Sequence, residues 1–335
     1  MAGVERVLVI GLSNIGDAIL MSEAVAALHQ RYPGAHLALV VGGRATALFV
    51  EDPCVQTLVD ADEFGSPLGR LKLTAALWRF RPQIVVDLRS TIYPFFLKPL
   101  SAWRYLRRPP KAIRHMRDRH RWRLQAQVPG LGLAPGSPVW RSPKDAAHVD
   151  GLWRRWNLDG QRRLVLICPG ARSQIKRWTV EGFARVADRL IGECAAQVIF
   201  SGEPAEEAWV EAILELMTHR AHSAVGVVTM RQLGMLMQRA TLVITNDSGS
   251  LHLASAFDVP TVAIFGPTDP AKYGPTAARH RTVRRRLFCA PCERPLCRFN
   301  HECMRFLSAD DVYEAACQLL RQETGDSRQG LEHSP

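Results

Sequence analysis

No stretch of the chain approaches the roughly 20 consecutive apolar residues that a bilayer-spanning helix requires, so no membrane span is expected. A secretory leader is not expected either, because the early apolar run Arg6–Ile10 stops at Gly11 and Ser13. Both absences point to a cytoplasmic protein. Acidic residues are scarce beside basic ones, 32 against 43, which leaves a formal charge of +11. The usual recognition signatures of DNA- and RNA-binding modules are missing, so nucleic acid is not an expected partner despite that charge. Disorder is excluded by composition: 47% of residues are hydrophobic and 22% charged. A length of 335 residues exceeds one ordinary core and suits two domains of about 150 residues each.

What is present is an alternation of apolar runs and helical patterns, given twice. In the first half, Arg6–Ile10, Ala35–Val41, Val55–Val59 and Ile84–Leu88 read as strands, with a helix over Asp17–Arg31. In the second half, Leu164–Ile167, Gln197–Phe200, Leu242–Ile244 and Thr261–Phe265 read as strands. Helices are expected over Thr179–Ile191, Glu206–Met217, Met230–Arg239, Leu251–Phe257 and Ala309–Arg321. Continuous β-branched strands separated by helices imply parallel sheets covered on both faces. The fold class is therefore α/β, with two Rossmann-like domains. Their boundary is expected near Asp159–Gln161, giving domains 1–160 and 161–322 and a disordered polar tail over 323–335. Such sheets bind ligands outside the carboxyl ends of their strands, and three loops at those ends carry polar chemistry.

The first loop is Gly11-Leu12-Ser13-Asn14-Ile15-Gly16-Asp17. It lacks the full three-glycine dinucleotide pattern, which weakens a reading as a nicotinamide cofactor site. Asp17 is either a favourable charge in the first helical turn or a general base beside an acceptor hydroxyl. The second loop runs from Cys168 to Trp178; Gly170 with Arg172 and Lys176 can surround a pyrophosphate with donors and positive charge. Trp178 would anchor the next helix, with Thr179 as its cap. The third is Asn246-Asp247-Ser248-Gly249-Ser250, where Ser248, Gly249, Ser250 and the amides of the following helix form a nest for phosphate oxygens. Asp247 would repel phosphate, so it meets sugar hydroxyls, caps the helix or orients Lys176. His252 is a ligand contact or a structural histidine. Gly266-Pro267-Thr268-Asp269-Pro270 could close the same pocket, Asp269 being a turn residue first and a sugar contact second.

Two features stand apart. Between Trp103 and Arg123 nine Lys/Arg face a single Asp118, and Arg279, Arg281, Arg284, Arg285 and Arg286 form a second basic block. These attract an anionic substrate or an anionic membrane surface. Cys289-x2-Cys292-x4-Cys297-x5-Cys303 is the other. In a reducing compartment structural disulfides are not expected, leaving free thiols, a tetrahedral structural Zn site, or an iron–sulfur or redox use whose spacing misses the ferredoxin pattern.

Taken in order, Ser13-Asn14-Ile15-Gly16-Asp17, Pro169-Gly170-Ala171 with Lys176 and Trp178, Asn246-Asp247-Ser248-Gly249 with His252-Leu253 and Ala256, and Phe265-Gly266-Pro267-Thr268-Asp269-Pro270 resemble glycosyltransferase family 9, the lipopolysaccharide heptosyltransferases. The resemblance covers roughly residues 5–322. It implies a GT-B architecture, with an N-terminal acceptor domain and a C-terminal donor domain facing across a central cleft. It further implies inverting, metal-independent transfer of heptose from ADP-heptose to a hydroxyl of the lipopolysaccharide inner core, at the cytoplasmic face of the inner membrane. On that pattern Asp17 matches the catalytic aspartate, Lys176 the donor phosphate lysine, and Asp247, Ser248 and Gly249 the donor loop. Ser13, Asn14, Gly16, Arg104, Arg107, Arg119 and Arg123 become candidates for binding a Kdo-lipid A or heptosylated acceptor. The alternatives are transfer of another nucleotide-activated sugar to a different surface glycan, or a basic α/β module that binds nucleic acid or a membrane.

Overall fold

The computed structural model describes residues 3–98, 100, 103–133 and 139–329. It separates into two units, Met1–Ser142 and Pro143–Pro335. The first unit runs β1 (Arg6–Ile10), α1 (Ile15–Arg31), β2 (His36–Val41), α2 (Gly43–Thr46), β3 (Thr57–Asp60), α3 (Pro67–Phe80), β4 (Ile84–Asp87), α4 (Tyr93–Leu97), α5 (Trp103–Leu106) and α6 (Met116–Gln127). Its strands form one parallel sheet in the order β3-β2-β1-β4. β1 is buried from Val7 through Ile10, as a strand covered on both faces must be. One sheet face packs Leu8, Ile10, Ala38, Val40 and Val85 against Leu73 and Leu77 of α3, with α4 and α5 contributing Leu97 and Tyr105.

The second unit runs α7 (Pro143–Arg155), β5 (Leu164–Cys168), α8 (Val180–Cys194), β6 (Gln197–Phe200), α9 (Glu207–Leu216), β7 (His222–Ser223) and α10 (Met230–Gln238). It continues with β8 (Leu242–Asn246), α11 (Gly249–Ala256), β9 (Thr261–Phe265), α12 (Pro270–Tyr273), β10 (His280–Arg284), α13 (Glu302–Arg305) and α14 (Ala309–Gln329). The sheet order is β10-β9-β8-β5-β6-β7, all parallel. Counted from its own first strand this is the 3-2-1-4-5-6 order of a complete Rossmann sheet. The α/β class with two Rossmann-like domains, the class to which the GT-B architecture belongs, is what the chain adopts.

The domain boundary falls at Ser142 rather than near residue 160. The reason is α7, whose buried Asp145 holds Arg231 of α10 at 3.1 Å and accepts a hydrogen bond from Gln232 at 3.2 Å. That helix therefore belongs to the core that follows it. α14 reaches Gln329, so the tail expected from residue 323 is helical that far; residues 330–335 lie outside the described residues. The second basic block lies partly on a strand. Arg281 and Arg284 sit on β10, an edge strand paired in parallel with β9, and Arg281 donates to Gln318 Oε1 at 3.1 Å. Among the described residues no helix is long and apolar enough to cross a membrane.

Candidate functional site

Strand order in a Rossmann sheet reverses between its first and fourth strands, and the loops leaving those strands frame the ligand crevice. In the second unit these strands are β5 and β8, which are direct neighbours. Their loops converge. Lys176 Nζ lies 2.7 Å from Asp247 Oδ2, with the aspartate 5% exposed and the lysine 29%. The ammonium also stands 5.8 Å from the centroid of the Tyr273 ring on α12. The cation is thus aimed by a buried carboxylate while part of it stays open to solvent.

Asn246, the last residue of β8, holds the arrangement together. Its Nδ2 donates to the Pro169 carbonyl at 2.7 Å, and its Oδ1 accepts the Trp178 amide at 3.3 Å. One fully buried side chain therefore fixes both ends of the loop carrying Lys176. Trp178 adds an anchor: it is buried, its indole donates to the Leu307 carbonyl at 3.1 Å, and it meets Phe183 edge-on at 5.0 Å. Thr179 caps α8 by accepting the Gly182 amide at 3.0 Å, as the sequence suggests.

Ser248 stands at the N-cap of α11 in an extended conformation without a side-chain cap bond. Its hydroxyl lies 3.3 Å from Thr245 Oγ1 instead. The first-turn amides of Gly249 and Ser250 thus lack a side-chain cap, and such a helix end attracts an anion. Cys168 lies beneath this turn. Burial pushes its thiol up to about 12, against a hydrogen bond from Ser250, so it stays protonated. His252 is buried on α11. Thr268 is buried, and its hydroxyl has no hydrogen-bond partner among the described residues. An orphaned buried hydroxyl of this kind asks for a ligand atom.

Other expected donor residues have structural work. Asp269 caps α12 by accepting the Ala271 amide at 3.0 Å. A Cβ at Gly170 would come within 2.0 Å of the Glu206 carboxylate, which is held by the Glu203 amide at 3.0 Å. A Cβ at Gly266 would lie 2.3 Å from Met304 Sδ. Arg172 is exposed on the loop surface.

In the first unit the corresponding reversal point lies between β1 and β4. Asp17 enters the first turn of α1 and accepts from Asn14 Nδ2 at 3.4 Å. Its Oδ1 is 3.7 Å from Nε2 of His120 on α6. His120 is buried, and neither ring nitrogen has a hydrogen-bond partner among the described residues. Glu23 of α1 receives Arg117 Nε at 2.8 Å and Arg121 Nε at 2.7 Å, both from α6. Ser13 packs against Gly42, where a Cβ would lie 2.5 Å from its own. Gly16 occupies the first turn of α1, half-buried. Asp87 ends β4, and its carboxylate accepts the amides of Arg89 at 2.9 Å and Thr91 at 2.6 Å. Burial nevertheless raises its pKa above the ordinary value.

The candidate acceptor arginines divide. Arg123 donates to the Leu88 carbonyl at 3.2 Å, just past β4. Burial and then the neighbouring Arg119 charge hold its pKa below the ordinary value, and Arg119 donates to the Ile113 carbonyl at 3.2 Å. Arg104 and Arg107 instead lean on the Trp103 and Trp122 rings, at 5.5 and 5.6 Å.

The four clustered cysteines line one cavity of about 360 Å³ with Phe288 and Leu296. Among the described residues no three His, Cys, Asp or Glu side chains are arranged to hold a metal ion. Cys297 Sγ accepts the amides of Phe299 and His301, each at 3.3 Å. Cys303 belongs to the hydrophobic core, and its thiol is pushed up to about 11 by burial and by the other three cysteines.

Sequence reasoning did not single out His120, hidden among arginines, nor Asn246 as a staple, nor Tyr273. Only the spatial pairing of β5 with β8 and of α1 with α6 gives those residues partners.

Comparison with known proteins agrees with this fold. The profile of glycosyltransferase family 9 (heptosyltransferase) matches residues 98–302, more than half of the chain. The chain is 26% identical to lipopolysaccharide heptosyltransferase 2 of Salmonella typhimurium, over 83% of this chain and 88% of that one. It is equally 26% identical to lipooligosaccharide heptosyltransferase 2 of Campylobacter jejuni, over 92% and 96%. Among solved structures, a family 9 glycosyl transferase from Veillonella parvula superposes with a TM-score of 0.80 at 23% identity, covering 96% of this chain and 99% of that one. The ADP-heptose lipopolysaccharide heptosyltransferase II of E. coli gives a TM-score of 0.72 at 23% identity, covering 95% and 99%.

Proposed function

Because the chain belongs to glycosyltransferase family 9 (heptosyltransferase) and is a glycosyltransferase, we propose that it moves a heptosyl residue from ADP-heptose to a hydroxyl of the lipopolysaccharide core. The observation that carries this reading is the Lys176–Asp247 pair at the β5/β8 reversal point, 2.7 Å apart beside an uncapped helix start. Lys176 and the amides of Ser248, Gly249 and Ser250 hold the diphosphate and stabilise it as it departs. Asp247 aims the lysine, and Thr268 offers its buried hydroxyl to the donor. The names of the relatives, which specify heptose and, for the E. coli structure, ADP-heptose, support this choice of donor.

Asp17 takes the proton from the acceptor hydroxyl, which attacks the anomeric carbon from the face opposite the leaving ADP and inverts it. His120 backs the carboxylate at 3.7 Å and fixes its direction. Arg119 and Arg123 attract the anionic groups of the acceptor to the same sheet end. No metal ion enters these steps.

The test is transfer from ADP-heptose to Kdo-lipid A and to its singly heptosylated form, followed by mass spectrometry of the product. Asp17→Asn is expected to lower kcat by 10²-fold or more with ADP affinity unchanged, the range that a positioned base supplies being about 10² to 10⁴. Undiminished turnover in Asp17→Asn would remove Asp17 from the mechanism. Transfer from a different nucleotide sugar in preference to ADP-heptose would overturn the donor assignment.

A further inference from the structure

Among the described residues β4 is an edge strand of the first sheet, so the outer side of its last residue has no neighbouring strand. A side chain takes that place. Gln127 of α6 accepts the Asp87 amide at 2.7 Å through Oε1 and donates from Nε2 to the Asp87 carbonyl at 2.8 Å. The Asp87 carboxylate then fixes the chain beyond the strand. It accepts the Arg89 amide at 2.9 Å, the Thr91 amide at 2.6 Å and the Thr91 hydroxyl at 2.8 Å. Arg123 closes the turn from α6 through its bond to the Leu88 carbonyl.

Such a turn is costly to hold. Ser90 at its tip has a φ of 61°, in the left-handed region where a residue with a side chain is strained. Strain of this kind persists where the surroundings over-determine it, and it collects at ligand-binding sites. Asp87 is 2% exposed, so it works on the turn rather than on a ligand directly. What the turn leaves open is Arg89 and Ser90, both exposed. They follow the carboxyl end of β4, next to the reversal point of the sheet, where open parallel sheets bind their ligands.

We propose that the turn Leu88–Thr91 is the subsite for one anionic group of the acceptor, a carboxylate or a phosphate, and that Arg89 is the side chain that meets it. Asp87 and Gln127 are positioning residues, which act by fixing the turn. The planar donor fork of a guanidinium matches both anions. Arg123, bonded to the same turn, supplies a second positive charge beside it. An arginine on a free loop surrenders backbone freedom when it binds. On a pinned turn that loss is already met in folding, so more of the contact appears as affinity. The inference rests on the reading of the first unit as the acceptor domain and deepens it, whichever sugar is transferred.

The test is calorimetric titration of the full chain with de-acylated, phosphorylated Kdo-lipid A saccharide, with steady-state transfer from ADP-heptose as a second readout. Arg89→Gln should weaken acceptor binding about tenfold and raise the acceptor KM to match, leaving kcat and ADP affinity within about twofold. Asp87→Asn takes one hydrogen-bond acceptor from the turn and should act in the same direction, through the acceptor KM and not through kcat. Arg155→Gln makes the same charge change at an exposed position of α7 and should leave acceptor binding unchanged. Circular dichroism and ADP affinity identify a variant that fails to fold, and the exposed Arg89 position then carries the test. Removing the phosphates of the saccharide, or esterifying its carboxylates, identifies the anion, because the Arg89→Gln effect disappears with the group that the arginine meets. An effect that survives both treatments overturns the subsite, as does one no larger than that of Arg155→Gln. A wild type that binds no acceptor removes the acceptor reading itself, whereas binding that Arg89→Gln leaves unchanged removes the subsite alone.

Discussion

Replacing Lys176 by Met leaves Asp247 as a carboxylate 5% exposed, with its cation removed. Breaking a fully buried ion pair by removing one partner costs about 3–5 kcal/mol. Lys176 is itself 29% exposed, so solvent already screens part of the pair. A loss of about 2 kcal/mol is therefore expected from Lys176→Met, roughly a 30-fold change in the folding equilibrium. For a unit of this size that is a fall of about 4–8 °C in Tm. Asp247→Asn removes the carboxylate instead and should cost less, since an amide tolerates burial without a countercharge. In the double variant most of the loss should return, giving a coupling of about 1.5 kcal/mol between the two positions. Urea denaturation followed by tryptophan fluorescence measures stability, and calorimetric titration with ADP measures the donor side. Lys176→Met should weaken ADP at least tenfold, whereas Asp247→Asn should change it about threefold or less. If the two destabilisations simply add, the side chains do not interact, and the account of how the lysine is aimed is wrong.

Two further outcomes follow from side chains away from that pair. Asn246→Ala orphans the Pro169 carbonyl and the Trp178 amide, both buried, and should cost about 2–4 kcal/mol while raising the KM for donor; a stability loss below about 0.5 kcal/mol would show that the loop does not depend on this staple. Asp188 of α8 is partly desolvated, which raises its pKa, but hydrogen bonds from the Thr218 and His219 amides outweigh that and hold it below its ordinary value. Its stabilisation is present above the unfolded-state value and lost as pH falls through the lower folded-state value. The stability difference between wild type and Asp188→Asn should therefore vanish toward strongly acid pH; a difference that stays constant with pH would contradict the linkage.

The sequence was most legible where burial is complete. Arg6–Ile10, Gln197–Phe200 and Thr261–Phe265 are strands at the residues their apolar runs predict. Legibility failed where an element's pattern serves two masters. Apolar side chains on both the buried and the exposed sides of α3 blur the 3.6-residue period, so the helix over Pro67–Phe80 does not stand out. β10 is written in arginines because an edge strand faces solvent, and it reads as a charge block. α6 has a strongly polar surface and twelve residues, yet the prolines before it suggest only loops and short helices. The candidate site divides in the same way. Lys176 and Asp247 are visible as motif residues, and the structure brings them together. His120 has no local signal, since its meaning comes from Asp17 on a distant helix.

The Glu23 clamp gives α6 a mechanical character. Arg117 and Arg121 are one turn apart and both close on a carboxylate 11% exposed. The helix can neither roll nor slide along α1 without giving up one of those bonds, and His120, lying between them, inherits that register. Salt strips counter-charge readily from exposed arginines but reaches a sheltered pair far less. Ionic strength can therefore turn down the long-range field of the basic face while the orientation of the residue behind Asp17 stays locked, so the reach of the charge and the register of the helix respond separately to salt.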